Sequence, residues 1–169
     1  MSLDLGAIAK GYATDRARAI LRQHGITSAL VNAGGNIYAV GKKPGGDLWN
    51  IGIQDPRKPD DYLASVQVQD VSAVTSGDYQ RFFEAGGVRY HHLLNPATGK
   101  PARTGLYAVT IISQSSTAAD ALSTSVFVLG KEKGSEVLAQ FAGTDAFFVE
   151  EGNRVSYTPG LALRVRPPR

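Results

Sequence analysis

Cysteine is absent from the 169 residues, which excludes disulfides, thiol nucleophiles and thiolate metal sites together and leaves the redox compartment undecided. Long apolar runs are missing too. Uncharged stretches such as Ala121 to Leu129 are far too short to cross a bilayer as a helix. No basic segment followed by an apolar one opens the chain, so no signal peptide is expected in it. The body also lacks an excess of charge. The net charge is +3, but Arg164, Arg166 and Arg169 supply it from the C-terminal end, so 164–169 reads as a solvated basic tail. A neutral body offers no basic stripe to a duplex, and no nucleic-acid partner is expected.

What remains is ordinary globular material. The chain is 43% apolar and 20% charged, which excludes wholesale disorder. Its length fits one domain, expected over 1–163, able to bury roughly 70% of the extended chain's surface without a metal or disulfide staple. Glycine is in excess, with 19 of 169 residues or about 11% against a usual value near 7%. Pairs at Gly34-Gly35, Gly45-Gly46 and Gly86-Gly87 point to tight turns between strands.

Periodicity predicts a helix from Gly6 to His24 with Gly25 as its C-terminal stop. Strands follow at 28–33 and 36–41 around Gly34-Gly35, then at 48–54, 64–69 and 71–76. A hairpin of 79–83 and 88–94 turns at Gly86-Gly87. After a turn at 96–101 come a β-branched strand over 107–112, helices over 115–129 and 131–141, and a closing hairpin of 146–149 and 154–157. Strands arriving in hairpins predict an α+β fold with a mostly antiparallel sheet and packed helices.

Four stretches carry residue types suited to chemistry. In Asp4-Leu5-Gly6-Ala7-Ile8-Ala9-Lys10-Gly11-Tyr12, Asp4 could cap the helix, and small residues in the first turn let a ligand or a neighbouring sheet come close. Asn32-Ala33-Gly34-Gly35-Asn36 is a Gly-rich turn without a Walker or dinucleotide pattern, and reads as an ordinary turn. Thr75-Ser76-Gly77-Asp78-Tyr79 precedes Tyr90-His91-His92-Leu93-Leu94-Asn95-Pro96, where adjacent histidines on a strand point to opposite faces. That geometry, with no H-x-x-x-H spacing, argues against zinc. In Ser115–Thr124, Asp120 and Thr124 stand one helical turn apart in an otherwise uncharged run. Asp120 is there either solvent-exposed or a ligand for a hard cation such as Mg²⁺.

Taken together, LDLGAIAKGYATD, NAGGNIYAVG, TSGDYQRFF…RYHHLLNPATGKPA and VTIISQSSTAADALSTSVFVLG resemble the ApbE-type FAD:protein FMN transferases, formerly called thiamine biosynthesis lipoproteins. The resemblance runs from Leu3 to about Gly130, and its HHLLNPATG and TAADALST elements are specific. It implies an ApbE-like domain using Mg²⁺ and FAD. Such enzymes join FMN through a phosphoester to a Thr or Ser of a target flavoprotein and release AMP. Residue by residue, it assigns Asp120 and Thr124 to Mg²⁺ with the main-chain oxygen of Ala7, and Asp4 and Lys10 to FAD. His92, Leu93 and Leu94 are assigned to the flavin side. Lys10 would assist phosphate neutralisation, and His92 is the candidate base by residue type.

Asn36 and Asn95 stand where many relatives carry Asp. The chain also starts at the first motif, so an N-terminally truncated domain is expected, lacking the family's early strands and lipid-anchored cysteine. With it go expectations of an unpaired sheet edge, self-association, weak FAD affinity and membrane association only through the missing anchor. Localisation on the periplasmic side of the inner membrane, or otherwise extracytoplasmic, follows from the family alone. FAD pyrophosphatase activity and a non-catalytic flavin-binding or structural remnant are the alternative functions.

Overall fold

The computed structural model describes residues 4–168. Helix α1 (Ala9–Gln23) leads into strands β1 (Ala29–Ala33), β2 (Asn36–Val40), β3 (Trp49–Asp55), β4 (Lys58–Val68) and β5 (Val71–Gly77). A hairpin of β6 (Phe82–Ala85) and β7 (Val88–His91) follows, then the short pair β8 (Leu94–Asn95) and β9 (Lys100–Pro101). Strand β10 (Leu106–Ser113) precedes helices α2 (Ser116–Leu129) and α3 (Lys131–Leu138), and β11 (Asp145–Glu150), β12 (Arg154–Tyr157) and β13 (Val165–Arg166) complete the chain.

Six strands form one sheet in the order β1-β2-β5-β10-β11-β12, with every neighbouring pair antiparallel. A second sheet, β13-β4-β3, is also antiparallel. The fold is therefore α+β, as the hairpin pattern predicts. The large sheet is covered on both faces. Val109 and Ile111 of β10 pack with Leu122, Val126 and Phe127 of α2. From the opposite face, Ala108 and Ile112 meet Ile51, Ile53 and Val66 of the second sheet. Side chains alternate across a strand, so this double coverage leaves β10 nearly continuous in apolar character. Val109 and Ile111 are fully buried, each stabilising the domain by about 2 kcal/mol through area removed from water.

The turns follow the glycines. At Gly34 and Gly35 φ is +58° and +94°, and Ala33 pairs with Asn36, so two residues close the β1–β2 hairpin with the backbone twist its strands require. Helix α1 ends with the N–H of Gly25 on the Arg22 carbonyl and that of Ile26 on the Leu21 carbonyl, the paired bonds of a Schellman motif.

Several boundaries depart from the sequence reading. Asp4 does not cap α1: Ile8 holds the N-cap position without a side-chain bond, and the Asp4 carboxylate accepts instead from the Gly6 N–H at 2.7 Å, one turn earlier. Strand β4 begins at Lys58, because β3 pairs with polar residues whose pattern gives no strand signal. The 79–83 and 88–94 strands contract to β6 and β7, and α3 stops at Leu138. The C-terminal end is not a free tail either. Val165 and Arg166 pair with Val66 and Ser65, and the Arg166 guanidinium donates to Gln67.

Helices α1 and α2 meet at Gly11. A Cβ there would lie 2.3 Å from the Ser116 carbonyl oxygen and 2.8 Å from Asp120 Cβ, so only glycine fits. Gly11→Ala should lower stability by about 2 kcal/mol despite the gain in helix propensity, because backbone must move to admit the methyl group. Urea unfolding measures this, and an unchanged midpoint would contradict the close approach.

Candidate active site

The site begins with a buried charge. Asp120 is only 4% exposed on an apolar helix, which removes the solvent-exposed reading of this residue. Its Oδ2 accepts the Gly11 N–H at 2.8 Å, and among the described residues its other oxygen makes no hydrogen bond. Gly11 is the third residue of α1, so its N–H is one of the first-turn donors that no helical carbonyl reaches, and Asp120 supplies the acceptor. The Ala7 carbonyl, one residue before the N-cap, accepts no hydrogen bond among the described residues. A carboxylate oxygen on α2 and a main-chain carbonyl just ahead of α1 are thus left available.

A second carboxylate works in the opposite direction. Asp15 of α1 accepts from the N–H groups of Ser116 and Thr117 at 3.0 and 2.9 Å, and from the hydroxyls of Thr117 and Ser115 at 2.7 and 3.2 Å. It thereby satisfies free donors at the start of α2, where a negative charge is also favoured by the helix dipole. Burial alone would raise the Asp15 carboxyl, but bonds from Thr117, Ser116 and Ser115 outweigh it and hold the group below the ordinary carboxylate range. The Ser115 hydroxyl caps α2 by accepting the Ala118 N–H.

One cleft of about 680 Å³ collects every candidate residue: Asp4, Ala7, Lys10, His92, Leu93, Leu94, Asp120 and Thr124 all line it. The helices supply one wall and the end of β5, Thr75 to Gly77, supplies another. Lys10 lies beside the β1–β2 turn, 3.8 Å from where a Cβ on Gly34 would be. His92 lies opposite, with its N–H bonded to the Arg81 carbonyl at 3.1 Å and its ring Nδ1 facing the same oxygen at 3.3 Å. A carbonyl only accepts, so Nδ1 carries the proton and Nε2 keeps a lone pair. A groove of about 760 Å³ along the second sheet carries Asp60 and Asp61 but no cationic side chain.

The two histidines separate as strand geometry predicts. His91 is buried, its Nε2 facing the Ala102 carbonyl at 3.0 Å and its ring edge-on to Phe127 at 5.5 Å, and burial pushes its imidazole pKa down. His92 is on the cleft. Asp78, from the third stretch, is occupied: Arg57 donates to both its oxygens at 2.7 and 2.8 Å while stacking on Tyr107. Asn95 accepts the Ala97 N–H within its turn. Asn36 is buried with neither amide atom hydrogen-bonded, a place where a carboxylate would cost far more. Residue type did not single out Gly11, Asp15, Gln80 or Arg81. Gln80 and Arg81 line the cleft, and Asp15 is one of several polar residues along α1 whose type alone carries no signal.

The α+β fold of this domain is shared with solved flavin transferases. The ApbE protein from Thermotoga maritima matches with a TM-score of 0.87 and 43% identity, covering 96% of this chain and 53% of that one. The Pseudomonas stutzeri flavinyl transferase ApbE matches with a TM-score of 0.74 and 42% identity, over 93% and 49% of the respective chains. The FAD:protein FMN transferase of Treponema pallidum is 48% identical across 98% of this chain and 48% of its own. The profile of the ApbE family matches residues 1–148, and the chain belongs to that family. It spans about half the length of the curated relatives it matches.

The Asp15 clamp has a pH signature. A carboxyl held low in the folded state contributes stability that is complete above its unfolded value of about 3.9 and is lost as pH falls through the lower folded value. Unfolding free energy should therefore decline on acidification below about pH 4, and Asp15→Asn should be less stable at neutral pH with a shallower acid slope. Urea titrations from pH 2.5 to 7 on both proteins measure this, and parallel slopes would exclude the clamp.

Proposed function

We propose that this cleft serves an FAD:protein FMN transferase, moving FMN from FAD to a Thr or Ser hydroxyl of a target flavoprotein and releasing AMP. The observation that carries the reading is the pair of unbonded oxygens at the helix junction, the Ala7 carbonyl and one oxygen of Asp120, in a cleft that also holds Lys10 and His92. Naming of relatives as FAD:protein FMN transferases supports the substrate class.

The donors suit Mg²⁺, which prefers hard oxygen ligands and tolerates few protein ones: Asp120, Thr124 and the Ala7 carbonyl would hold it. When bound, Mg²⁺ neutralises charge on the pyrophosphate oxygens. The chain's own groups do the rest. Lys10, exposed on the first turn of α1, adds a second cationic contact to a phosphate lying by the Gly34 turn. His92 Nε2 accepts the proton of the acceptor hydroxyl as its oxygen bonds to the FMN phosphorus and the bond to the AMP oxygen breaks. Leu94, exposed, offers apolar surface to the flavin end, backed by Leu93, which is buried in the core. Asp4, held in its own turn, lines the same cleft.

Asp120 has a structural duty besides, since removing its side chain would leave the Gly11 N–H unpaired at about 1–3 kcal/mol. The informative substitution is Asp120→Asn, which keeps an oxygen for that N–H and removes the charge. It should remain folded and lose Mg²⁺-dependent FAD turnover. Incubation of the chain with FAD, Mg²⁺ and a threonine-bearing acceptor, read by mass spectrometry, should show an FMN adduct on the acceptor and AMP in solution. FMN and AMP without adduct would mean a pyrophosphatase. A folded chain that neither binds nor consumes FAD would mean a remnant.

A further inference from the structure

Four oxygens along the wall and floor of the cleft fix one another's protons. The Ser123 hydroxyl donates to the main-chain carbonyl of Asp120 at 2.9 Å. A hydroxyl has one proton, so Ser123 Oγ meets Ser76 Oγ, 2.9 Å away, as acceptor, and the Ser76 proton is spent on it. Ser76 Oγ also lies 3.2 Å from Thr124 Oγ1. With its own proton committed, Ser76 can only accept there. Thr124 must therefore donate to Ser76, and it makes no other hydrogen bond among the described residues. Because a carbonyl anchors the chain, its direction cannot reverse: Thr124 to Ser76 to Ser123 to Asp120 carbonyl.

We propose that Ser76 and Ser123 are positioning residues that draw the Thr124 hydroxyl proton away from the cleft, so that Thr124 Oγ1 faces a bound cation with lone pairs only. The inference rests on the reading of Asp120 and Thr124 as cation ligands. It adds that the ligand quality of Thr124 is set from β5, by a residue that need not touch the cation. A threonine free to rotate would present its proton to the cleft part of the time and repel a cation. The chain removes that freedom, and it costs little entropy because serine and threonine have few rotors. Outer partners of metal ligands tune affinity by 10–100-fold, which sets the expected scale.

The test uses Mn²⁺ as an EPR-visible hard cation, titrated into the protein with FAD present, the loss of the free-ion signal reporting occupancy. Ser76→Ala should weaken Mn²⁺ binding about tenfold, Ser76→Thr should restore it, and Ser123→Ala should weaken it severalfold by releasing the Ser76 proton. In a Thr124→Val background, adding Ser76→Ala should produce no further loss, since no hydroxyl remains to orient. A merely structural role for Ser76 would give losses that add in that background. Wild-type affinity in both Ser76→Ala and Ser123→Ala, or a full Ser76→Ala loss persisting with Thr124→Val, overturns the proposal. If Asp120→Asn weakens Mn²⁺ while those serine variants do not, the cation reading stands and only this inference falls. If Asp120→Asn binds like wild type, both fall together.

Discussion

The hydrogen bond from the Gly11 N–H to Asp120 constrains everything around it. A carboxylate buried in an uncharged helix needs a donor, and here the donor is main chain from another helix. That choice brings the two backbones so close that position 11 admits no side chain. It also gives an acceptor to one of the first α1 N–H groups, which no helical carbonyl reaches. Asp15 returns the arrangement, since its carboxylate lies on α1 and accepts from the first N–H groups of α2. Each helix therefore offers an acid to the other's backbone. The pair is locked in rotation as well as in distance, because both contacts are directional.

Beneath the helices, the central sheet is not uniformly apolar. On β5 the helix-facing positions are Ser72, Val74 and Ser76. Ser72 bonds Ser116 at 2.9 Å and donates to the Ile37 carbonyl, whereas Ser76 reaches Ser123 and Thr124. Val74 between them joins the aliphatic core with Val109 and Ile111. Burying hydroxyls contributes little net stability when they are satisfied and costs much when they are not. Their effect is geometric: α2 is fixed against β5 at both the start and the middle of the helix. Aliphatic packing alone would tolerate small slides that hydroxyl pairs do not.

What the sequence made legible was local. Two-residue glycine turns and alternating strands are specified within a few residues, and the antiparallel α+β layout follows from them. Lys58 to Asp61 gave no strand signal because they are exposed, with three charges and a proline, and only Lys58 is registered against β3, opposite Asp55 across an irregularity. Arg166 looked like a solvated charge because its partner Gln67 is 99 residues away. The same holds in the site. Asp120 and Thr124 could be put on one face from spacing, yet spacing left open whether Asp120 faced water. Its bond to Gly11 crosses 109 residues, and that of Asp15 to Ser116 crosses 101. Resemblance named the residues, and only the fold showed that they share a cleft.

The cleft divides into a rigid pole and a loose rim, and the division suits opposite demands. At the pole stand a main-chain carbonyl, a buried aspartate tied by one oxygen and a threonine tied by its proton. None of these has more than two side-chain rotors, so holding them in place before a ligand arrives costs little at the moment of binding. The rim carries Lys10, Arg81, His92 and Leu94, all exposed. Lysine and arginine each lose about 0.5–1.5 kcal/mol when immobilised, which weakens them as anchors. His92 is intermediate, with its backbone N–H on the Arg81 carbonyl and its ring nitrogen beside the same oxygen. One carbonyl thus sets both the position and the tautomer of the ring. The imidazole is held to the strand end, while the Lys10 and Arg81 side chains make no hydrogen bond or ion pair among the described residues and keep their freedom.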